Sequence, residues 1–442
     1  MSIRKRFVHL LVGPIVVLIV GLAAGPVISA LFTPEVFGQY SVLLAIVGIS
    51  VVGVTLRFDQ LIPSSTDPHS NMWVVLLSST ALSLLIGALV SFFYPAFHAL
   101  FIAAATAGAA LFNGFYYFRV NADQALTASA GRSVQAAGVL GGQASFGYLG
   151  VGMPGLLWGE LIGRGLAILT IARPFQLRSI EQVGAHFKSQ WPQARWLLPS
   201  ALLGALALQL LPLGMLLSVG ASSAGIFMLV YRMVVVPNSL LSKVANDTLL
   251  VELGRLRKEG QDCGPLMEQG FGKLVIAATG IYGVLGVHGT WLFPLVLDGA
   301  WSQSGELVGW LSVLVAGWAV ASPMASVFVA LEKSQWSLCL SLLDLLNRMV
   351  ALAVGFVAQD VVMACISLAC GGVVVYGVSA ISSLKLAGGN VGRVVSGFGK
   401  FLLLLWAILF LSGVLLKSGI FWGALVLGAL VTVLALRRVA FG

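Results

Sequence analysis

The chain is 442 residues long, 59% hydrophobic and only 9% charged, with a mean hydropathy of +0.99. A charged fraction so far below the usual quarter or so excludes a soluble domain and implies a chain that lives in a bilayer. The formal net charge of +9 does not indicate nucleic acid, because the basic residues stand in short clusters between apolar segments rather than on one polar face.

The opening MSIRKRF leads into an apolar run that continues to Phe32 without a small-residue cleavage site, so it reads as an uncleaved first span. With roughly 20 residues needed per crossing, spans are expected at 8–32, 40–62, 72–94, 98–118, 131–149 and 152–172. The polar stretch 173–197 follows, then spans at 197–218, 224–248, 273–297, 306–331, 335–357 and 361–384, and a last pair at 400–416 and 419–436. The fold class is therefore an all-α polytopic membrane protein of about fourteen helices. Its expected parts are an N-terminal lobe (1–172), a cytoplasmic linker (173–197), a pseudo-symmetric C-terminal lobe (198–384) and a C-terminal helix pair (385–442). Within the linker, Phe175, Leu177, Ile180, Val183 and Phe187 recur at roughly helical spacing, which fits either an amphipathic surface helix or an ordinary tether about which the lobes rock.

Loop charges orient this scheme. With the N-terminus in the cytoplasm, the inner loops hold the clusters at 4–6, 255–258 and 437–438 and eleven further Lys and Arg, while the outer loops hold only Lys417. Both termini are expected in the cytoplasm of a multi-pass inner-membrane protein. Cys263, Cys339, Cys365 and Cys370 lack CxxC spacing, so neither a disulfide framework nor a metal site is expected. No Walker A, HExxH, G-x-S-x-G or nucleotide-binding glycine pattern occurs, so no enzymatic chemistry and no cofactor is expected beyond a coupling ion, H+ or Na+.

The halves share landmarks. Pro14 and Pro26 in span 1 answer to Pro199 and Pro212 in span 7, at separations of 185 and 186 residues. Gly38 and Tyr40 answer to Gly225 and Phe227, and Arg57 to Lys243. Each half has an even number of spans, so the repeat is parallel, and prolines that break matching helices point to a transporter's central cavity with these four as gating residues. The plainer alternative is that membrane helices simply tolerate proline.

A charge at mid-membrane costs about 2.5–3.5 kcal/mol on insertion scales. Five basic residues need a reason: Arg57, Arg164, Arg232, Lys243 and Arg348. Arg164 follows Glu160, and Arg348 follows Asp344, by four residues, which puts each pair on one helix face as substrate contact or as interhelical glue. Arg232 and Lys243 share a face with no acid beside them, and Arg232 lies about 12 Å from the outer end of its span at ~1.5 Å per residue. Arg57 and Lys243, near the inner ends, have snorkelling as an alternative. A space lined by unpaired cations suits a phosphate or pyrophosphate. His288 reads as a core histidine, and Asn113, Gln143 and Gln209 as interhelical hydrogen-bond partners.

The run FGQYSVLLAIVGISVVGVTLRFDQLIP at span 2 resembles the corresponding stretch of bacterial oligosaccharide flippases, the polysaccharide-biosynthesis branch of the multidrug/oligosaccharidyl-lipid/polysaccharide (MOP) exporter superfamily. At span 8, SAGIFMLVYRMVVVPNSLLSKVAND carries the same order of glycine, aromatic, arginine and proline, with Tyr231 where a small residue is more usual and Asp59 where span 2 commonly has Glu. The resemblance implies a two-lobed bundle that alternates between inward and outward openings. It would move an undecaprenyl-pyrophosphate-linked oligosaccharide outward across the lipid bilayer, coupled through Asp59, Glu160 or Asp344, alongside a polysaccharide polymerase and other assembly proteins. An antiporter of the same superfamily is the rival reading, but it would favour unpaired acids. A membrane-embedded polymerase or ligase would need a large outer loop. The longest outer loop here, 298–305, leaves no room for one.

The topology is directly testable: reporter fusions after Lys258 and after Gly442 are expected to report cytoplasm and a fusion after Gly305 the outer side. A cytoplasmic signal at Gly305 breaks the span count.

Overall fold

The computed structural model describes the backbone of residues 3–441 except Thr66, Asp123 and Glu332, and most of their side chains; those of Pro14 and Lys243 lie outside the described set. Two compact units divide the chain, Met1–Met228 and Leu229–Gly442. The first holds α1 (Ile3–Leu31), α2 (Pro34–Val54), α3 (Phe58–Leu61), α4 (Pro68–Val90), α5 (Ala96–Asn121), α6 (Ala125–Tyr148), α7 (Met153–Ile171), α8 (Ile180–Val219) and the start of α9 (Ala221–Lys258). The second holds the rest of α9, α10 (Gly264–Ala278), α11 (Val284–Val296), α12 (Ser304–Met324), α13 (Ser326–Ala330), α14 (Ser334–Ala358), α15 (Val361–Leu386), α16 (Val391–Lys417) and α17 (Phe421–Phe441).

Among the described residues there is no strand, and fourteen helices are long, counting α10–α11 and α12–α13 as single spans. In hydrocarbon every backbone N–H and C=O needs an internal partner, which a helix supplies within itself. Eleven spans are long and apolar enough to cross a membrane. Of the other three, α1 contributes the apolar run Ile15–Leu31, α6 is rich in Gly, Ala and Ser, and α7 carries Glu160 and Arg164.

The prolines do not interrupt their helices, contrary to expectation. The chain is helical straight through Pro14 and Pro26 in α1, and through Pro192, Pro199 and Pro212 in α8. A proline removes one backbone bond and bends the axis without ending it when neighbouring groups compensate.

The matched glycines meet. A side chain on Gly225 would collide with the Pro34 carbonyl, and one on Gly38 with the Ala221 carbonyl, so α2 and the start of α9 touch backbone to backbone at the repeat landmark. Together with the packing of α8 on α2, this contact explains why the first unit runs on to Met228 instead of ending at 172. The last two helices count with the second unit. There Thr432 Oγ1 donates to the Gly280 carbonyl (3.1 Å) within the π turn Thr279–Gly283 that joins α10 to α11. His288 is a core residue, buried with Nε2 2.9 Å from Ser412 Oγ, which itself donates to the Ala424 carbonyl.

The stretch 173–197 is no slack tether. After an extended segment, Ser179 and Gln182 form a capping box and α8 begins, running unbroken to Val219. Its polar first half lies on the first unit: Val183 and Ala194 are buried with Phe58, Leu61, Val74 and Val75, and Phe187 stacks between Phe58 and Trp191 at 5.3 Å from each. Polar contacts add to this. Trp73 donates to the Gln176 carbonyl, His69 Nδ1 accepts from the Gln176 N–H, His186 bonds Asn71, and Arg178 pairs with Asp67 at 3.4 Å. Burial alone would raise the Asp67 carboxyl, but bonds from the Ser70 side chain and backbone and from Arg178 outweigh it and hold it below its ordinary 3.8. The pair therefore contributes fully above that value and is lost as pH falls through the lower, folded one.

An exposed ion pair is worth about 0–1 kcal/mol, whereas a ring stack adds about 0.5–1.5 kcal/mol beyond the area it buries. Phe187→Ala is therefore expected to speed amide hydrogen exchange over residues 180–194 more than Asp67→Asn does at pH 7. The reverse order would place the docking in the polar contacts.

Candidate functional site

Three polar clusters lie inside or at the ends of the spans. In the first unit, α6 and α7 approach closely because a Cβ on Gly159 would meet the Gln143 backbone and one on Gly163 the Val139 backbone. That proximity lets Gln143 and Glu160 converge on Tyr40 of α2, which is fully buried. Tyr40 donates its hydroxyl to Glu160 Oε2 (2.9 Å) and accepts from Gln143 Nε2 (2.8 Å), while Glu160 Oε1 binds Arg164 Nη2 at 2.6 Å.

The second unit holds a counterpart. Arg348 Nε lies 2.9 Å from Asp344 Oδ2, Tyr376 of α15 donates to Asp344 Oδ1 (2.9 Å), and Tyr231 of α9 hydrogen-bonds Arg348. The two carboxylate–arginine pairs sit on α7 and α14, the sixth and eleventh spans, which are not equivalent in the repeat. Each nevertheless receives a tyrosine from the second helix of its half, Tyr40 or Tyr231. In both, every charge has a counter-charge and the carboxylate a phenol as well, which is how an ion pair survives in a low dielectric.

The third cluster is built differently. After α2 the chain turns sharply through Leu56 (φ 48°) and Arg57 (φ 64°), two consecutive non-glycine residues in the left-handed region. Such residues cost on the order of 1–3 kcal/mol each and persist only where the surroundings impose them. Here α3 is pinned from outside by the Phe58–Phe187 stack. Arg57 is half-buried, and among the described residues its shielded Nε has no partner and it makes no ion pair. Asp59 is 3% exposed. The Thr55 hydroxyl and the Gln60 N–H lie on its carboxylate, yet Oδ1 has no hydrogen-bond partner. Tyr117 of α5 bonds the Gln60 side chain and lies in the fields of Asp59, Arg132 and Arg57, and Arg132 of α6 sits 4.1 Å over the Tyr116 ring.

Of the residues singled out from sequence, Arg164 with Glu160 and Arg348 with Asp344 are thus brought together. Arg57 and Asp59 are neighbours without a direct bond. Arg232 is exposed on its unit within the apolar segment Ala221–Ser239, and it has no ion pair among the described residues. Lys243 lies on α9 with its side chain outside the described set, as does that of Pro14 in α1. Pro26 is half-buried, Pro199 exposed and Pro212 buried. Sequence reasoning missed Tyr376, Tyr117 and Arg132, and used Tyr40 only as a repeat landmark, because no local pattern marks a tyrosine that closes an ion pair on another helix. Among the described residues no group of three His, Cys, Asp or Glu is placed to hold a metal.

No sequence-family profile matches the chain, and no curated protein sequence matches it. Solved structures do. The lipid II flippase MurJ in an inward closed conformation aligns over 98% of this chain and 98% of its own, with a TM-score of 0.68 at 11% identity. The chain has the fold of the MOP exporter superfamily. An inward-facing multidrug-resistance MATE transporter aligns over 86% of this chain and 98% of its own, with a TM-score of 0.51 at 14% identity. A MOP superfamily transporter from Pyrococcus furiosus Vc1, described as having a binding pocket of reversed polarity that suggests a different function, aligns over 89% and 96% with a TM-score of 0.51 at 15% identity. The alignment with the flippase structure covers 98% of the chain, so it takes in the two C-terminal helices α16 and α17 as well.

Breaking a buried pair strands a charge, at about 3–5 kcal/mol. Glu160→Gln is therefore expected to lower the thermal stability of the detergent-solubilised protein markedly, and Glu160→Gln combined with Arg164→Met to recover most of the loss. Equal stability of single and double variants would show that Arg164 does not depend on Glu160.

Proposed function

We propose that the protein is a flippase that carries an undecaprenyl-pyrophosphate-linked oligosaccharide from the cytoplasmic to the outer leaflet by alternating access, for surface polysaccharide assembly. The observation that carries this reading is the division among the basic residues: Arg164 and Arg348 are neutralised by carboxylates, while Arg57 and Arg232 have no carboxylate partner among the described residues. An unpaired cation within a span is stable only beside water or an anion, and the diphosphate of a lipid-linked glycan is such an anion. The aligned lipid II flippase supports the same substrate class through its high coverage. Arg57 and Arg232 are assigned to the phosphates with Lys243 as an extension toward the cytoplasm; Arg164 and Arg348 are assigned to holding their helices. Arg57 and Asp59 stand at the cytoplasmic end of the first unit, where a lipid-linked head group made inside the cell arrives.

Antiport of a cationic drug, the alternative within this fold, would place unpaired acids in the spans. The unpaired side chain at Arg232 is of the opposite sign.

Replacing Arg232 with Gln is expected to abolish glycan export per molecule of inserted protein without lowering the amount inserted, since the change removes a costly charge. Arg232→Lys is expected to restore export only in part, because a guanidinium grips two phosphate oxygens and an ammonium acts as a point charge. Unchanged export by Arg232→Gln would remove Arg232 from the substrate path.

A further inference from the structure

The turn between α2 and α3 puts a cation and an acid side by side and leaves both incomplete. Arg57 has a shielded Nε with no acceptor, and Asp59 has a shielded Oδ1 with no donor. They act on each other through space without an ion pair or hydrogen bond. The turn that carries them runs through Leu56 and Arg57, both in the left-handed region. The other groups facing this turn are few. Tyr117 of α5 reaches it through the Gln60 side chain, and Arg132 of α6 acts on Tyr117 from beyond; α4 and α8, which are joined by the His186–Asn71 bond, pack Val74, Val75, Val183 and Phe187 against it. Ile62, which follows α3, is buried and apolar as well.

Resting on the flippase reading above, we propose that this turn binds an oxyanion and a proton together: a phosphate group seats on Arg57, and Asp59 takes up one proton as it does so. The reasoning is electrostatic. For a carboxylate almost wholly withdrawn from water, the nearby guanidinium and the donors on one of its oxygens are what favour the charged form against burial. A divalent oxyanion on Arg57 cancels that guanidinium and sets further negative charge beside Asp59, so the bound state favours the neutral acid, and Oδ1 has room to carry the hydrogen. By linkage, whatever raises proton affinity on anion binding must make anion binding stronger at lower pH. A carrier so built loads its anionic head group together with a proton and releases both where the pH or the counter-charge differs. The protonation balances: one H+ from solvent is bound, no bond of the substrate is made or broken, and the net charge carried through the turn falls by one.

The probe is sulfate, whose own charge is constant between pH 5 and 8, titrated against the full-length protein in detergent, with the Arg57-dependent component obtained by difference from Arg57→Gln. Wild type is expected to lose affinity as pH rises, by up to about tenfold per unit where Asp59 ionises. Asp59→Asn is expected to bind sulfate with no such slope, and Asp59→Glu to keep the slope in a shifted window. A slope that persists in Asp59→Asn, or its absence in wild type and Asp59→Glu, overturns the inference. Absence of any Arg57-dependent sulfate binding overturns the anion seat itself. The flippase reading is judged separately by the export of Arg232→Gln, so the two can fail independently.

Discussion

An ionised side chain inside a bilayer has to be matched by a counter-charge, by water or by a bound anion. This constraint divides the basic residues of the chain into two kinds. Arg164 and Arg348 are each locked to a carboxylate one helical turn away, and each pair is joined by a tyrosine reaching across from another helix. Their charge is spent on cohesion: within each unit the pair ties the second helix of that half to its fifth or sixth. Arg57 and Arg232 have no such match among the described residues.

The same logic explains the backbone of the first unit. The strained turn at Leu56–Arg57 is held by its surroundings: the Thr55 hydroxyl accepts from the Arg57 N–H, and the aromatic stack Phe58–Phe187–Trp191 pins α3 to the amphipathic half of α8. The segment that looked like a tether is thereby a structural part of the site, since it fixes the backbone that carries Arg57. Strain kept by packing that spans 130 residues of sequence is a mark of a position under functional demand.

Small residues do comparable work elsewhere. Glycines let α2 meet α9, α6 meet α7 and α10–α11 meet the C-terminal helices at backbone distance, and at the last contact a π turn frees the Gly280 carbonyl for Thr432. Without a hydrophobic drive between helices in lipid, such close approach and the few hydrogen bonds it permits are what give the bundle its register.

Span number and the membrane class were legible in the chain itself, because hydrocarbon demands about 20 apolar residues per crossing and the chain meets or breaks that demand locally. The i, i+4 pairs at Glu160–Arg164 and Asp344–Arg348 were legible for the same reason, since helical spacing alone puts them on one face. The resemblance at spans 2 and 8 likewise pointed to the MOP fold that the structure has. Tertiary structure alone decided which tyrosine completes each pair, that the chain stays helical through its prolines, and that 180–197 packs on the first unit. Each of these depends on contacts between segments far apart in sequence, or on a backbone conformation that neighbours impose against local preference, and neither leaves a pattern in the residues that precede it.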